Sequence, residues 1–334
     1  MTSEVIDVAR VRADNLRTVR IVRMTWIASC RCESPSRRPP MSSALADAAR
    51  KPADSRTAPA RLAHERYFSD FGSALRYWRD KRGLSQLRLS AEADISQRHI
   101  SFLESGRSQP SRELILRLGT VLDMPLRQRN VMLLCAGFAP AYQERTLSDP
   151  EMAAVRQALE FMLAQQTPYP AIVVDRLWNL VMANASAAGF FRWLLDIDAH
   201  GPLPGDGEFN VIQATLDPAA RRHLLNWQTI ASDALHWIQR EAMGDGPQSE
   251  AQALLDTLLA LPGIEAASRT PNLESNALPF VPLRIGKAGV ELNLFSAITT
   301  LGTPHDVTVH ELRIETFFPA DPATAEWFKA RAAP

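Results

Sequence analysis

The clearest hydrophobic pattern in the chain lies between Phe71 and Pro110. Phe71, Ala74, Leu75 and Trp78 fall at i, i+3, i+4 and i+7. That spacing buries one stripe of a helix and turns Arg76, Arg79, Lys81 and Arg82 toward solvent or phosphate. Gly83 supplies a left-handed stop. Ser85 caps a second helix whose inner face, Leu89, Ser90 and Ala93, is small enough for another helix to cross closely. Asp94-Ile95-Ser96 is the turn between them, with Asp94 able to adopt the left-handed conformation and Ile95 plugging the space beneath. Ser96 caps a third helix with Ile100 and Leu103 inward, which leaves Gln97, Arg98, Ser101, Phe102 and Ser105 on its outer face. Gly106 ends it, and Arg107 with Ser108 forms a cationic exit before Pro110.

The periodicity continues downstream. Ser111 caps a fourth helix with Leu114, Leu118 and Leu122 inward, stopped before Pro125. A fifth carries Val131, Leu134 and Cys135 as its apolar stripe and ends at Gly137. A further helix from Asp149 to Gln166, with Met152, Val155, Leu159 and Met162 on one side, bridges to the second half. After Pro168 and Pro170 the period changes. AIVVD and WNLVMA predict an antiparallel hairpin turning at Arg176-Leu177, and Asn184 caps a helix, ASAAGFFRWLL. Helices follow from Asp217 (DPAARRHLLNWQTIASDALHWIQREA) and from Ser249 (SEAQALLDTLLALP), with a Gly/Pro/Asp loop at 201–207. The chain then returns to strands, LPFVPLRI, VELNLFSAITTL and VTVHELRIETFFP, turning at Gly286–Gly289 and at Gly302-Thr303-Pro304. A terminal segment with Trp327 and Phe328 docks back. The predicted fold class is α+β in two domains: an all-α helical domain followed by an antiparallel sheet covered by helices.

Composition sharpens this picture in one respect. The 334 residues, 46% of them hydrophobic, suffice for about two domains. Net charge is zero, yet residues 1–146 hold 25 Lys/Arg against 15 Asp/Glu, and residues 147–334 hold 12 against 22. A basic front half joined to an acidic back half is expected when only one end meets a polyanion. Residues 1–66, with 13 Arg/Lys among Ser, Pro and Ala, read as a disordered basic extension, either an arm for phosphate or an upstream addition preceding Met41. Cys30, Cys32 and Cys135 contain no C-x-x-C pair, which suits a reduced cytoplasmic setting. No apolar run approaches the ~18–20 residues of a membrane helix.

The outer face of the third helix is shaped for a DNA major groove, and Arg98 is the candidate reader of guanine, because a guanidinium bonds N7 and O6 together. Arg107 suits a phosphate. Elsewhere the search for chemistry returns little. His305 and His310, five apart on a predicted strand, face opposite ways, and His223 and His236 are thirteen apart. No H-E-x-x-H, G-x-S-x-G or phosphate loop appears. No catalytic residue, metal site or cofactor is therefore expected. Five of the seven Trp lie in the second half. Most aromatics there are core, but a sheet covered by helices can leave an apolar cavity. Trp178, Phe190, Trp193, Trp227, Trp237, Phe280 and Phe295 are its candidate lining.

Two stretches resemble known families. LSQLRLSAEADISQRHISFLESGRSQPS is similar to the XRE, or Cro/C1-type, helix-turn-helix of bacterial repressors, in which Leu-Ser-Gln opens the second helix and Leu-Glu-x-Gly-x-x-x-Pro closes the third. Asp94 replaces the usual Gly, Ser90 the usual Ala, and Phe102 stands where a polar base-reader is common. The resemblance implies a lambda-repressor-like fold. Gln86 and Arg107 would touch phosphate, while Gln97, Arg98 and Ser101, flanked by His99 and Phe102, would face bases. PLRQRNVMLLCAGFAPAY with ALEFMLAQQTPYPAIVVDRLWNLVMANASAAGFF resembles XRE regulators that carry a MmyB-like, PAS-like C-terminal ligand-binding domain. Residues 244–279 match that pattern poorly. The implied organisation is an extension at 1–66, a helix-turn-helix domain at 67–146, a connecting helix at 147–169 and a PAS-like sensor at 170–330. The implied function is sequence-specific binding of double-stranded DNA by a homodimer under a hydrophobic, fatty-acid-like effector. Two other readings stay open: a protein-binding regulator without DNA contact, and an enzyme domain fused to a helix-turn-helix.

Overall fold

The computed structural model describes residues 68–197, 209–245, 249–264 and 282–332. The 1–66 extension, Cys30, Cys32, Met41, the 201–207 loop and Phe280 lie outside the described residues.

The front domain is built from α1 (Phe71–Lys81), α2 (Gln86–Glu92), α3 (Gln97–Glu104), α4 (Arg112–Val121) and α5 (Leu126–Cys135). Asp70, Ser85, Ser96 and Ser111 each cap a helix by accepting the backbone N–H three residues on. Gly83 and Asp94 take the left-handed backbone, φ 63° and 52°, as the turns require. Trp78, Leu75, Leu89, Ile100, Leu103 and Leu118 form the core, each almost fully buried. A Cβ on Gly72 would stand 2.7 Å from the Leu103 carbonyl oxygen, so glycine is what lets α1 lie against the end of α3.

Two expectations for this domain are corrected. Arg79 does not face phosphate: its guanidinium is 11% exposed and grips the buried Glu104 of α3. On α5 the buried residues are Leu126, Gln128, Val131, Met132 and Leu133, whereas Leu134 is exposed and Cys135 half-buried. The helix is buried on two sides, Met132 and Leu133 joining the front core while Gln128 and Val131 border a cleft toward the back domain. A single stripe was the wrong template for it.

A 3-10 turn (Pro150–Met152) and α6 (Ala153–Gln165) lead into the back domain. Its sheet has the order β2-β1-β5-β4-β3, antiparallel throughout: β1 (Ala171–Val174), β2 (Leu180–Ala183), β3 (Leu283–Lys287), β4 (Val290–Thr299) and β5 (Arg313–Pro319). β1 and β5 sit inside, with Ile172 opposite Glu315. Both faces are covered, which explains why AIVV is apolar without alternation. Leu159 and Leu163 of α6 pack on Ala171, Val173, Leu312 and Ile314. The other face, with Ile172, Val174 and Phe317, meets α7 (Ala185–Leu195), α8 (Val211–Leu216), α10 (Trp227–Asp245), α11 (Glu250–Leu259) and α13 (Pro322–Ala332).

The helix expected from Asp217 is broken. After the short α9 (Pro218–Arg221) the backbone runs along β3, Leu225 N–H donating to the Arg284 carbonyl and Gly286 N–H to that of His223, each at 2.8 Å. Covering an open sheet edge outweighs the helical period of that stretch. VTVHE is likewise not strand but α12 (Val307–Glu311), because Asp306 caps it and Val307 N–H bonds the Gln143 carbonyl at 2.8 Å. His310 therefore sits on a helical turn, so the opposite-faces argument for His305 and His310 does not hold. Among the described residues no group of three or more His, Cys, Asp or Glu gathers as a metal site, and no helix is long and apolar enough to cross a membrane.

Candidate functional site

Glu104 organises the first three helices of the front domain. Its side chain is 1% exposed and accepts from Arg79 at 2.5 and 3.1 Å and from the Gln86 amide at 2.9 Å, with Arg76 at 3.5 Å. Burial alone would raise its pKa, but Arg79, Gln86 and Arg76 together hold the carboxyl below its ordinary value. This one carboxylate thus ties α1, α2 and α3 together and fixes the angle at which α3 is presented. Gln86, expected at phosphate, spends its amide nitrogen on that lock.

On α3, Gln97 and Arg98 are exposed, while His99, Ser101 and Phe102 are half-buried. The Arg98 guanidinium lies 5.1 Å from the Phe102 ring centroid, one helical turn on. A stacked guanidinium keeps its planar donor fork extended. His99 donates its backbone N–H to the Ser96 cap, and its Nε2 is buried without a hydrogen-bond partner. Arg107 is exposed directly after the left-handed Gly106. The structure thus brings Gln97, Arg98, Ser101 and Phe102 onto one helix and sets Arg107 at its exit.

The back domain holds a cavity of about 270 Å³ between the sheet and α7, α8 and α10. Trp178, Phe190 and Trp237 of the expected set line it. Trp193 instead meets Trp327 at 4.9 Å with the rings inclined by 57°, Trp227 lies under the Arg221 guanidinium at 4.5 Å, and Phe295 stacks on Phe318 at 5.3 Å; none of the three belongs to the lining. Trp178 is delivered by the β1–β2 turn in a left-handed conformation, φ 67°. Asp175 holds that turn, accepting the N–H groups of Leu177 and Asn179 at 2.8 and 2.9 Å. The Trp178 ring meets Trp237 edge-on at 5.8 Å.

Sequence reasoning missed the polar end of this cavity. Asp233, one turn before Trp237 on α10, lines it with Oδ2 buried and unpartnered; burial raises its carboxyl, His236 only partly opposing. Glu315 of β5 lines it from the sheet, and burial pushes its pKa up to about 7 although the Ser296 hydroxyl works against the rise. An acid inside an apolar strand, in ELRIETFFP, was the available signal.

The cavity wall connects to the front domain by two routes. Arg176, two residues before Trp178, pairs with Glu311 of α12 at 3.7 Å, and Glu311 receives Arg127 of α5 at 2.8 and 2.9 Å. Arg127 also grips Glu144 at 2.6 Å. On the second route α10 runs from Asp233 and Trp237 to Met243, whose carbonyl accepts the Tyr77 hydroxyl of α1.

A capped helical trio presenting an exposed cationic face, joined to an antiparallel-sheet domain around an apolar cavity, defines a transcription regulator with a helix-turn-helix DNA-binding domain and a ligand-binding domain. Residues 155–330 match the family model of the MmyB-like transcription regulator ligand binding domain, and residues 75–128 match that of a helix-turn-helix. The chain belongs to the MmyB-like transcription regulators. It is also 38% identical over 74 residues to the transcriptional regulator ClgR of Mycobacterium tuberculosis, in strains CDC 1551 / Oshkosh and ATCC 25618 / H37Rv. That similarity takes in 22% of this chain and 63% of each relative.

Proposed function

We propose that the protein acts in the cytoplasm as a non-catalytic, one-component switch: a homodimer that reads double-stranded DNA through α3 and changes its grip when a small, mainly apolar effector enters the α10 cavity. Gln97, Arg98, Ser101 and Phe102 would face the bases, with His99 behind them, Arg107 toward phosphate, and Gln86 reaching phosphate only with the amide hydrogen that Glu104 does not take. An acyl-chain body for the effector is what the family resemblance implies. The observation that carries the reading is the physical continuity of the cavity wall with the DNA-binding helices, through α10 to Tyr77 and through Arg176 and Glu311 to Arg127. A ligand that favours one arrangement of that wall biases the placement of two recognition helices, whose half-sites must lie about one DNA turn apart.

The test is sequencing of genomic DNA bound by the purified full chain, with and without cell lipid extract. A paired motif with that spacing, with salt-sensitive occupancy that changes with extract, supports the proposal. Binding without an enriched motif refutes the base-reading role, and occupancy unmoved by any extract refutes the effector role.

A further inference from the structure

The ionisable groups that line the α10 cavity are of one kind. Asp233 and Glu315 are both acids, and no Arg, Lys or His is among the described residues that line it. His236, on the same helix, acts on Asp233 from outside the lining, and two further cations nearby have partners of their own. Lys287 holds the Trp193 and Leu194 carbonyls at the end of α7 together with Asp196, and Arg240 lies over the Trp237 ring at 5.1 Å. The rest of the wall is aromatic and aliphatic, with Trp178, Phe190, Phe191 and Trp237 on two sides. Trp178 is 9% exposed, and its Nε1 is buried with no hydrogen-bond partner. Two polar atoms, this N–H and the Asp233 Oδ2, thus stand buried and unanswered at a cavity wall, where groups awaiting a ligand belong.

From this geometry we infer that the effector is an apolar amine, whose protonated nitrogen sits between Asp233 and Glu315 and against the aromatic rings. The inference rests on the reading of this cavity as the effector site. A carboxylate head would meet like charge wherever Asp233 or Glu315 is ionised, and no lining cation offsets that. An ammonium is attracted by carboxylates and ring faces alike. When it binds it would draw Glu315 toward its ionised form and add a counter-charge to the Ser296 hydroxyl that the acid already has. The unpartnered Trp178 Nε1–H would suit an oxygen acceptor on the same molecule. The volume sets the scale: 270 Å³ corresponds to roughly nine water-sized shares of about 30 Å³ each. A body of about eight carbons with one head group fits that space.

The test is calorimetric titration of the full chain with octylamine, octanol and octanoate, repeated on Asp233→Asn and Glu315→Gln. Octylamine should bind at least tenfold tighter than octanoate, and each substitution should weaken octylamine at least fivefold while leaving octanol within twofold. Octanol binding then reports that the variants remain folded and the cavity intact. Octanoate binding as tightly as octylamine, or octylamine affinity unmoved by both substitutions, overturns the amine assignment and leaves the apolar-effector reading standing. Failure of all three compounds to bind overturns both.

Discussion

Glu315 offers the sharpest quantitative test of the back domain. Its carboxyl is buried on the sheet face beneath α10, and its pKa rises from an ordinary 4.5 to about 7 through burial. At ~1.36 kcal/mol per pH unit, that distance corresponds to about 3 kcal/mol. Below about pH 4.5 the acid is protonated in both the folded and unfolded chain, so it takes nothing from stability. Between 4.5 and 7 the unfolded chain has released the proton while the folded chain retains it, and stability falls as pH rises. Above 7 the whole penalty is present. Glu315→Gln preserves the shape and cannot titrate. The stability of the variant minus that of the wild type should therefore rise by up to about 3 kcal/mol between pH 4.5 and pH 8, while the other titrating groups cancel in the difference. Urea unfolding followed by tryptophan fluorescence suits the measurement, since Trp178 and Trp237 report on the same cavity. A difference constant to within about 0.5 kcal/mol across that range would refute the assignment of Glu315 as a buried, neutral acid.

Glu104→Ala removes the buried carboxylate that joins Arg79 and Gln86, leaves Arg79 only the exposed Asp80 as counter-charge, at 2.5 Å, and should destabilise the front domain by about 3 kcal/mol in thermal unfolding of the wild type and variant side by side. Arg98→Ala should relax base preference at one operator position, costing about 1–3 kcal/mol on the preferred sequence only, as read by binding selection on randomised DNA. Arg107→Ala should weaken all sequences alike and lower the slope of log affinity against log salt by about one. Arg127→Ala and Glu311→Ala, combined in a double-mutant cycle, should be non-additive by about 0.5–3 kcal/mol, because the two make a bidentate pair at 2.8 and 2.9 Å. Additive effects would remove Glu311 from the link between the domains.

Helices α2, α3 and α4 were legible because each was marked twice, by an apolar period and by a capping side chain, at Ser85, Ser96 and Ser111. The Asn184-capped helix was legible for the same reason, and the hairpin after Pro170 by two short apolar runs about a turn. Elements whose backbone is claimed by a distant partner were not. The stretch 222–226 has helical spacing, yet its amides and carbonyls complete the edge of β3. Val307-Thr308-Val309 has strand composition, yet Asp306 winds it into a turn against Gln143. Of the cavity, the aromatic residues on elements of recognisable type, Trp178, Phe190 and Trp237, could be named. Asp233 could not, since an acid in a helical period carries no mark of the solvent it has lost; Glu315 carried one only as an acid within an apolar strand. Arg79 failed in the opposite sense: it occupies a surface-like position in the helical period and is withdrawn only because Glu104 lies 25 residues away in sequence and 2.5 Å away in space.

The two routes from cavity to DNA face differ in how they can switch. A ligand shifts a conformational equilibrium only by as much as it binds one state better than the other, so the moving part must include atoms the ligand touches. Trp178 meets that condition, and Asp175 holds its turn through N–H bonds to Leu177 and Asn179, all within five residues of sequence. Arg176, inside that turn, reaches Glu311 at 3.7 Å and Glu250 of α11 at 3.6 Å, whereas Arg127 holds Glu311 at 2.8 and 2.9 Å. The longer contacts are the weaker ones. A displacement of Trp178 by a ligand would therefore be expressed first as exchange of Arg176 between Glu250 and Glu311, and each exchange alters the negative charge left to hold Arg127 of α5. The α10 route lacks such a choice, since one helix carries Asp233, Trp237 and the Met243 carbonyl as a single rigid piece. In the proposed switch α10 would set the resting angle of the front domain, and the Arg176 turn is where an effector would change it.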